Sequence, residues 1–384
     1  MRVDSSLGNF KILITGDFVS PQKNGSNITR LEPLFSDLIP LFIEHSCVIA
    51  NLETPLTKSG KPIRKVGPTL QSNPKYAKEI NGLGINIVSL ANNHIMDMGP
   101  SGLDDTLEAL HQSGIQFVGA GRNLTEASTP LYIEYRDTTL AILALAEHEF
   151  SIAEDDRAGA CPIDPIENYR QIKEAKKKCD LLVVILHGGN EYYSLPSPRM
   201  VDLCHYYVEI GADAVVCHHA HVPSGYENFK GAPIFYGLGN FFFQWLTPKP
   251  KDWYFGYMVS LDIAEKKIKS TTIIPYSQNY VENEGVKILH GMELAEWLER
   301  LAKISQWIAD PKILNQKWQD FCEKQEKDYT NLFISRNRLE SFLRSRWPIL
   351  FYEKDGYFLL VRNLISCEAH REVLLQVLKN LVEK

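Results

Sequence analysis

Short β-branched runs that alternate with helix-like patterns constrain this chain more than any other feature. Phe10–Thr15, Cys47–Ala50, Asn86–Leu90, Thr139–Ala144, Leu181–Leu186 and Ala214–Cys217 read as buried strands. Between them lie helix candidates such as Gly102–Ser113, with apolar Leu103, Leu107 and Leu110, and Ile166–Lys178, which ends in a basic turn. That order lays strands down with helices on both faces, an α/β architecture. Further strand signals at Pro233–Tyr236, Tyr254–Ile263 and Ile268–Ile274 make the late part of the sheet antiparallel or mixed. After about residue 278 the pattern changes, and Met292–Ile308, Ile334–Arg346 and Glu368–Val382 have helical periodicity. The chain therefore divides into an α/β domain, 1–278, and a helical C-terminal region, 279–384. The second part contains no cluster of ligand-type residues. It reads as a packing or partner-binding appendage, separable from any chemistry.

Most of these strands run into a polar group able to bind a metal or move a proton. Asp17 follows the first strand; Asn51 and Glu53 follow the second; Asn92, Asn93 and His94 follow the third. His187 ends the Leu181–Leu186 run and is followed by Gly188 and Gly189, which permit close backbone approach to a ligand. His218, His219 and His221 follow Ala214–Cys217. In an extended segment His219 and His221 share a side while His218 points away. The carboxyl ends of parallel strands share one edge of a sheet, and ligands bind in the crevice there. Taken singly, Asp17 and Glu53 suit turns or caps; five segments converging on one edge are hard to explain that way.

Three histidines, two carboxylates and an asparagine amide form a mixed nitrogen and oxygen set without thiolates, which suits Mn, Fe or Zn. One or two divalent ions are expected, and a pair sharing one carboxylate would support hydrolysis of a phosphoryl ester or an amide. The formal net charge of -6 provides no basic face for nucleic acid. Seven scattered cysteines with no CxxC read as reduced side chains. No signal-peptide pattern is visible at the N-terminus and no apolar run approaches the roughly 20 residues of a membrane span. A soluble, cytoplasmic protein is expected.

At these residues the chain resembles the CapA family of capsule or poly-γ-glutamate synthesis proteins, whose domain is similar to calcineurin-type metallophosphoesterases. The matching segments are Gly16-Asp17, Asn51–Thr57, Val88–His94 with Asp97 and Gly99, Gly119–Gly121, His187–Glu191, Gly211–Asp213 with His218–His221, and Tyr236–Phe241. The resemblance implies a four-layer α-β-β-α sandwich with a mainly helical C-terminal extension. It implies that Asp17 and His221 serve one metal, that Asn93, His187 and His219 serve a second, and that Glu53 bridges them. His94 becomes the acid-base residue, oriented by Asp97. Asn92, Glu191, His218 and Asn240 are candidate substrate-binding residues, although the role of Glu191 is open between ligation, hydrogen bonding to a ligand histidine and holding substrate. The wider superfamily has a histidine where this chain has Val19, and the family's usual proline and tryptophan are here Ala220 and Gly188.

The leading functional reading is a metal-dependent hydrolase of a small-molecule or polymer-end substrate in bacterial surface-polymer metabolism. The competing reading is a non-catalytic accessory protein that binds a polymer end or anionic ligand in the same pocket while the helical region docks a protein partner. The loss of the superfamily histidine at Val19 favours it. Amide-bond formation driven by a nucleotide is disfavoured, because no G-x-x-x-x-G-K-[S/T] loop is present.

Overall fold

The computed structural model describes residues 10–21, 28–245, 247–279, 284–330 and 354–383. Its first sheet contains β1 (Phe10–Phe18), β2 (Cys47–Leu52), β3 (Ile87–Ser89), β4 (Gln116–Val118), β13 (Asn240–Phe242), β14 (Phe255–Ala264), β15 (Lys267–Gln278) and β16 (Val286–Ile288). The order is β16-β15-β14-β1-β2-β3-β4, with β13 beside the end of β1. The second sheet contains β6 (Leu131–Tyr135), β7 (Thr138–Ala146), β9 (Leu181–His187), β10 (Ala214–His218), β11 (Tyr226–Phe229) and β12 (Ala232–Phe235), in the order β11-β12-β10-β9-β7-β6. A small ribbon joins β5 (Ala120–Gly121) to β8 (Gly159–Ala160).

Helices α1 (Ile39–Ile43), α2 (Lys75–Leu83), α3 (Gly99–Gln112) and α4 (Leu124–Ala127) belong to the first half. They are followed by α5 (Pro165–Lys176), α6 (Pro198–Ile210), α7 (Gly291–Ala309), α8 (Pro311–Thr330), α9 (Lys354–Ser366) and α10 (Glu368–Glu383). The helix read at Ile334–Arg346 lies outside the described residues.

Strand parity builds the layers. On β9, Leu181, Val183 and Ile185 face one core while Leu182, Val184 and Leu186 face another; on β7, Leu140, Ile142 and Ala144 oppose Ala141, Leu143 and Leu145. The first core joins the two sheets and also takes in Ala77 and Ile80 of α2 and Leu103 and Leu107 of α3. The second holds Ile172 of α5 and Met200, Leu203 and Tyr207 of α6. Helix layers thus cover both outer faces, which is the α-β-β-α sandwich expected. A single sheet edge does not collect the polar groups, however. Strands β1 to β4 are parallel in one sheet, and β7, β9, β10 and β12 are parallel in the other, so the groups meet where two sheet edges face each other.

The C-terminal helices are built into the same cores. Trp297 and Leu301 of α7 join the first, while Ile304, Ile308 and Leu314 join the second. Helix α10 lies on α8, with Val373 and Val377 against Trp318 and Cys322. Polar contacts pin its start to the end of β7. Glu368 accepts from the His148 backbone at 2.9 Å and pairs with its Nδ1 at 2.8 Å, and Arg199 bridges Glu372 to Glu147. Among the described residues, no helix is long and apolar enough to cross a membrane.

This attachment is pH-dependent. The hydrogen bond to Glu368 raises the pKa of His148 above its ordinary 6.5. Burial alone would raise Glu368, but its bonds to His148 outweigh that and lower it from 4.5. His148 therefore stabilises docking fully below pH 6.5 and loses that contribution as pH rises through its raised value. Glu368 contributes above pH 4.5 and loses its contribution as pH falls through its lowered value. Glu147, pushed up to about 7 by burial against the opposing charge of Arg199, also favours the lower range. Hydrogen exchange of α10 amides, corrected for intrinsic rate, should show more protection at pH 6 than at pH 8. In His148→Gln the difference should shrink.

Candidate metal centre

Each candidate ligand is fixed by the strand that delivers it. Register places Asp17 opposite Asn51 across β1 and β2, and opposite Asn240 across β1 and β13. In the other sheet His187 lies opposite His218 across β9 and β10. Beyond β10 the chain leaves extended geometry, because His219 and His221 have φ of 92° and 57°. The two histidines therefore converge through left-handed backbone and not through strand parity, a strain that persists only where surroundings enforce it. The Asp17 carboxylate accepts from the His219 amide at 3.2 Å, Tyr192 N–H donates to the Ala220 carbonyl at 2.8 Å, and Asn240 Nδ2 donates to the His221 carbonyl at 3.2 Å.

The side chains crowd into one buried cluster. His187 Nε2 lies 3.0 Å from Asn93 Oδ1, 3.0 Å from His219 Nδ1 and 3.4 Å from Glu53 Oε1. His221 Nδ1 lies 3.5 Å from Asp17 Oδ2, and its Nε2 lies 3.9 Å from Glu53 Oε1. Asn51 Nδ2 donates to Asp17 at 2.7 Å. Two triads, Glu53 with His219 and His221, and Asp17 with Glu53 and His187, each bring ligand atoms within 4.8 Å of one another. Glu53 belongs to both. It is fully buried, yet among the described residues neither of its oxygens accepts a hydrogen bond. Such a carboxylate calls for a compensating charge, and the nitrogen and oxygen donors around it fit a divalent transition metal.

Electrostatics follow from that crowding. Burial drives Glu53 well above its ordinary value. Burial also lowers His187, aided by the neighbouring His219, and brings His219 down to about 4. His221 goes the other way: burial would lower it, but Glu53 and Asp17 outweigh burial and raise it to about 10. Asp17 is lowered because its bond to His221 and the nearby histidine charges outweigh burial.

Beside the cluster, His94 Nδ1 meets Asp97 Oδ2 at 2.6 Å, and Asp97 is held by Lys65 Nζ at 2.6 Å and by the Leu70 amide at 2.7 Å. Lys65 is almost fully buried and also donates to the Asn93 carbonyl at 3.2 Å. Burial lowers the pKa of His94, with Lys65 adding to the effect. The sequence reading missed Lys65, which lies in an aperiodic loop far from any strand end. It also missed Glu147 and Glu149, although they follow β7 as the other polar groups follow their strands. Glu149 accepts from Asn93 Nδ2 at 3.1 Å and is pushed up to about 7 by burial. Glu147 occupies the space that Gly188 leaves open, where an added Cβ would come within 2.6 Å of its side chain, and accepts from the Gly189 amide at 2.9 Å. Gly188 thus makes room for a carboxylate, while Gly189 takes a left-handed φ of 107°.

A cleft of about 500 Å³ opens on one side of the cluster, lined by Asn93, His94, Glu149, Glu191, His219 and Lys65 among others. Of the four residues read as substrate-binding, Glu191 lines it. The other three stand behind the candidate ligands. Asn92 is fully buried, donating to the Leu52 carbonyl at 2.9 Å; His218 meets the Thr15 carbonyl at 2.9 Å; Asn240 lies 3.0 Å from His221 Nδ1. The helical region, read as apart from the chemistry, forms the opposite wall with Phe321, Gln325, Tyr329, Asn363, Cys367 and His370. These positions escaped notice because a helix face that packs and a helix face that lines a cleft have the same periodicity. Val19 packs into an apolar cluster with Leu70, Phe243 and Trp253.

Comparison with known proteins matches this arrangement to a family. The family described as Bacterial capsule synthesis protein PGA_cap matches residues 11–245. The chain is 34% identical over 218 residues to the PGA biosynthesis protein CapA of Bacillus subtilis (strain 168), covering 56% of this chain and 57% of that protein. It is 32% identical over 228 residues to the capsule biosynthesis protein CapA of Bacillus anthracis, covering 57% and 56% respectively. The aligned part thus spans little more than half the length of these relatives. A crystal structure of a hypothetical protein from Thermus thermophilus aligns with TM-score 0.45 and 16% identity, covering 70% of this chain and 100% of that one. The family match takes in every candidate ligand from Asp17 to His221, and the chain belongs to the bacterial capsule synthesis protein family PGA_cap.

Proposed function

We propose that this chain is a metal-dependent hydrolase of a phosphoester or peptide-like amide, acting in capsule or poly-γ-glutamate-type surface-polymer biosynthesis. The observation that supports this reading best is Glu53, buried without a hydrogen bond and common to both triads. In the proposed assignment Asp17 and His221 hold one ion, Asn93, His187 and His219 hold a second, and Glu53 serves both. Divalent ions held there supply positive charge that makes water nucleophilic near neutral pH and offsets negative charge on the substrate. Asn51 keeps Asp17 oriented, and Asn240 fixes the ring of His221. His94 is the acid-base residue beside the leaving group, its Nδ1 held by Asp97, and burial together with Lys65 lowers its pKa so that a proton on its ring is given up readily. Glu191 on one wall and Asn363 and His370 on the other enclose the substrate. The accessory reading, binding without turnover, draws support from Val19, whose apolar packing leaves the first ion with fewer donors.

Protein purified without chelator should hold one or two Mn, Fe or Zn ions per chain by elemental analysis. Metal at 100 times its dissociation constant should stabilise the fold by about 2.7 kcal/mol, visible as a raised unfolding midpoint. Less than about a tenth of an equivalent, with no uptake on titration, would remove the basis of the reading.

His94→Ala should keep its metal while turnover of an aryl phosphate or phosphodiester falls by about 10²–10⁴. Glu53→Ala should lose metal and activity together. A wild-type protein that binds metal fully but hydrolyses no phosphoester, phosphodiester or γ-glutamyl amide would transfer the assignment to the accessory reading.

His370→Ala and Asn363→Ala should raise KM several-fold with metal content unchanged, because they touch the cleft without reaching the ligand cluster. Unchanged KM in both would show that this wall meets no substrate.

A further inference from the structure

A second groove of about 500 Å³ lies between α7, α8 and the loop Tyr192–Leu195, and its residues on the helices fall outside the segment that defines the family. Its walls are aromatic, from Tyr192, Trp307 and Phe321, and its charges come from Lys303, Lys317 and Lys324. Lys303 and Lys317 both stand over the Trp307 ring, with Nζ 5.4 and 3.8 Å from its centroid. Among the described residues, no carboxylate pairs with any of the three lysines, whereas nearby Arg300 is neutralised by Asp252. Asp320 is the one acid on the wall, and it accepts from Gln316 at 2.9 Å. Three unpaired cations in one groove contrast with a chain whose net charge is -6.

The groove adjoins the cleft above the metal cluster. Tyr192 and Phe321 line both. Tyr192 holds a left-handed φ of 61°, and its ring stacks on Trp253, which lies 5.1 Å from His221. Lys249 continues the positive charge on this side, with Nζ 2.9 Å from the Tyr192 hydroxyl. A small anion would satisfy one lysine. Cations spread along aromatic walls instead match repeated charges separated by aliphatic carbon, whose methylenes pack on Trp307, Tyr192 and Phe321 while the carboxylates meet lysine. A phosphate polymer offers the charges but no apolar surface for the rings.

We propose that this groove binds an acidic polymer whose repeated carboxylates are separated by short aliphatic stretches and leads its end into the metal cleft. Binding itself is independent of catalysis, while delivery to the cleft rests on the function proposed above. The test is fluorescence anisotropy of labelled poly-γ-glutamate and poly-α-glutamate with the metal-loaded 384-residue chain, and polyphosphate as the competing chemistry. Trp307 emission should change on binding. Lys303→Gln, Lys317→Gln and Lys324→Gln combined should weaken polyglutamate binding about tenfold, with unfolding midpoint and metal content unchanged. Asp320→Asn, which removes the opposing charge, should tighten it. Three results would overturn the proposal: no binding of either polyglutamate at low salt, binding unaltered by the triple substitution, or preference for polyphosphate. If polymer binding follows these substitutions but no substrate is hydrolysed, the groove stands and the hydrolase reading fails.

Discussion

The carboxylate of Glu53 sets the condition that the surrounding structure meets. Sealing a charged group away from water without donors costs several kcal/mol, and both Glu53 oxygens are in that position. His187 and His221 approach from the other sheet, at 3.4 and 3.9 Å. His187 arrives on the regular end of β9, whereas placing His221 requires left-handed backbone at both His219 and His221, a conformation costing about 1–3 kcal/mol per residue. The bonds from Asp17, Tyr192 and Asn240 to that loop hold it in place. The cluster, the strained loop and the sheet seam depend on one another.

Much of this was legible in the sequence because strand ends are local signals. The six buried runs from Phe10–Thr15 to Ala214–Cys217 correspond to β1, β2, β3, β7, β9 and β10; Glu53, Asn93, His219 and His221 follow their strands as read and His187 ends β9, while Asp17 lies within β1. Pairing between distant segments was not legible. β1 pairs with β14, nearly 250 residues later, and periodicity does not say which sheet a strand joins. For the same reason the edge that seemed single proved to be two edges facing. His219 and His221 converge for a reason that strand parity does not supply. Asn92, His218 and Asn240 were read as substrate-binding candidates; in space they stand one layer behind the candidate ligands. Lys65 left no local trace, since its role exists only where its loop meets Asp97 and Asn93.

The C-terminal helices show a different limit. Their apolar positions predict packing, and they do pack, with Trp318 and Cys322 against Val373 and Val377. Nothing in that pattern distinguishes a polar face turned to water from one turned to a cleft. Asn363 and His370 read as ordinary helix-surface residues, and they acquire meaning from Glu368 and Glu372, which fasten α10 beside Glu147 and His148.

That fastening has a consequence for the order in which the site is made. Every candidate ligand from Asp17 to His221 emerges from the ribosome before the wall that carries His370. The 149 residues from His221 to His370 take roughly 7–30 s to add at about 5–20 residues per second. During that interval the candidate ligand cluster can form while its far wall is still being synthesised, so the cluster faces a broad opening. Once α10 docks, access to the cluster narrows to the cleft, and the nascent chain and the finished protein present the cluster to solvent on different terms.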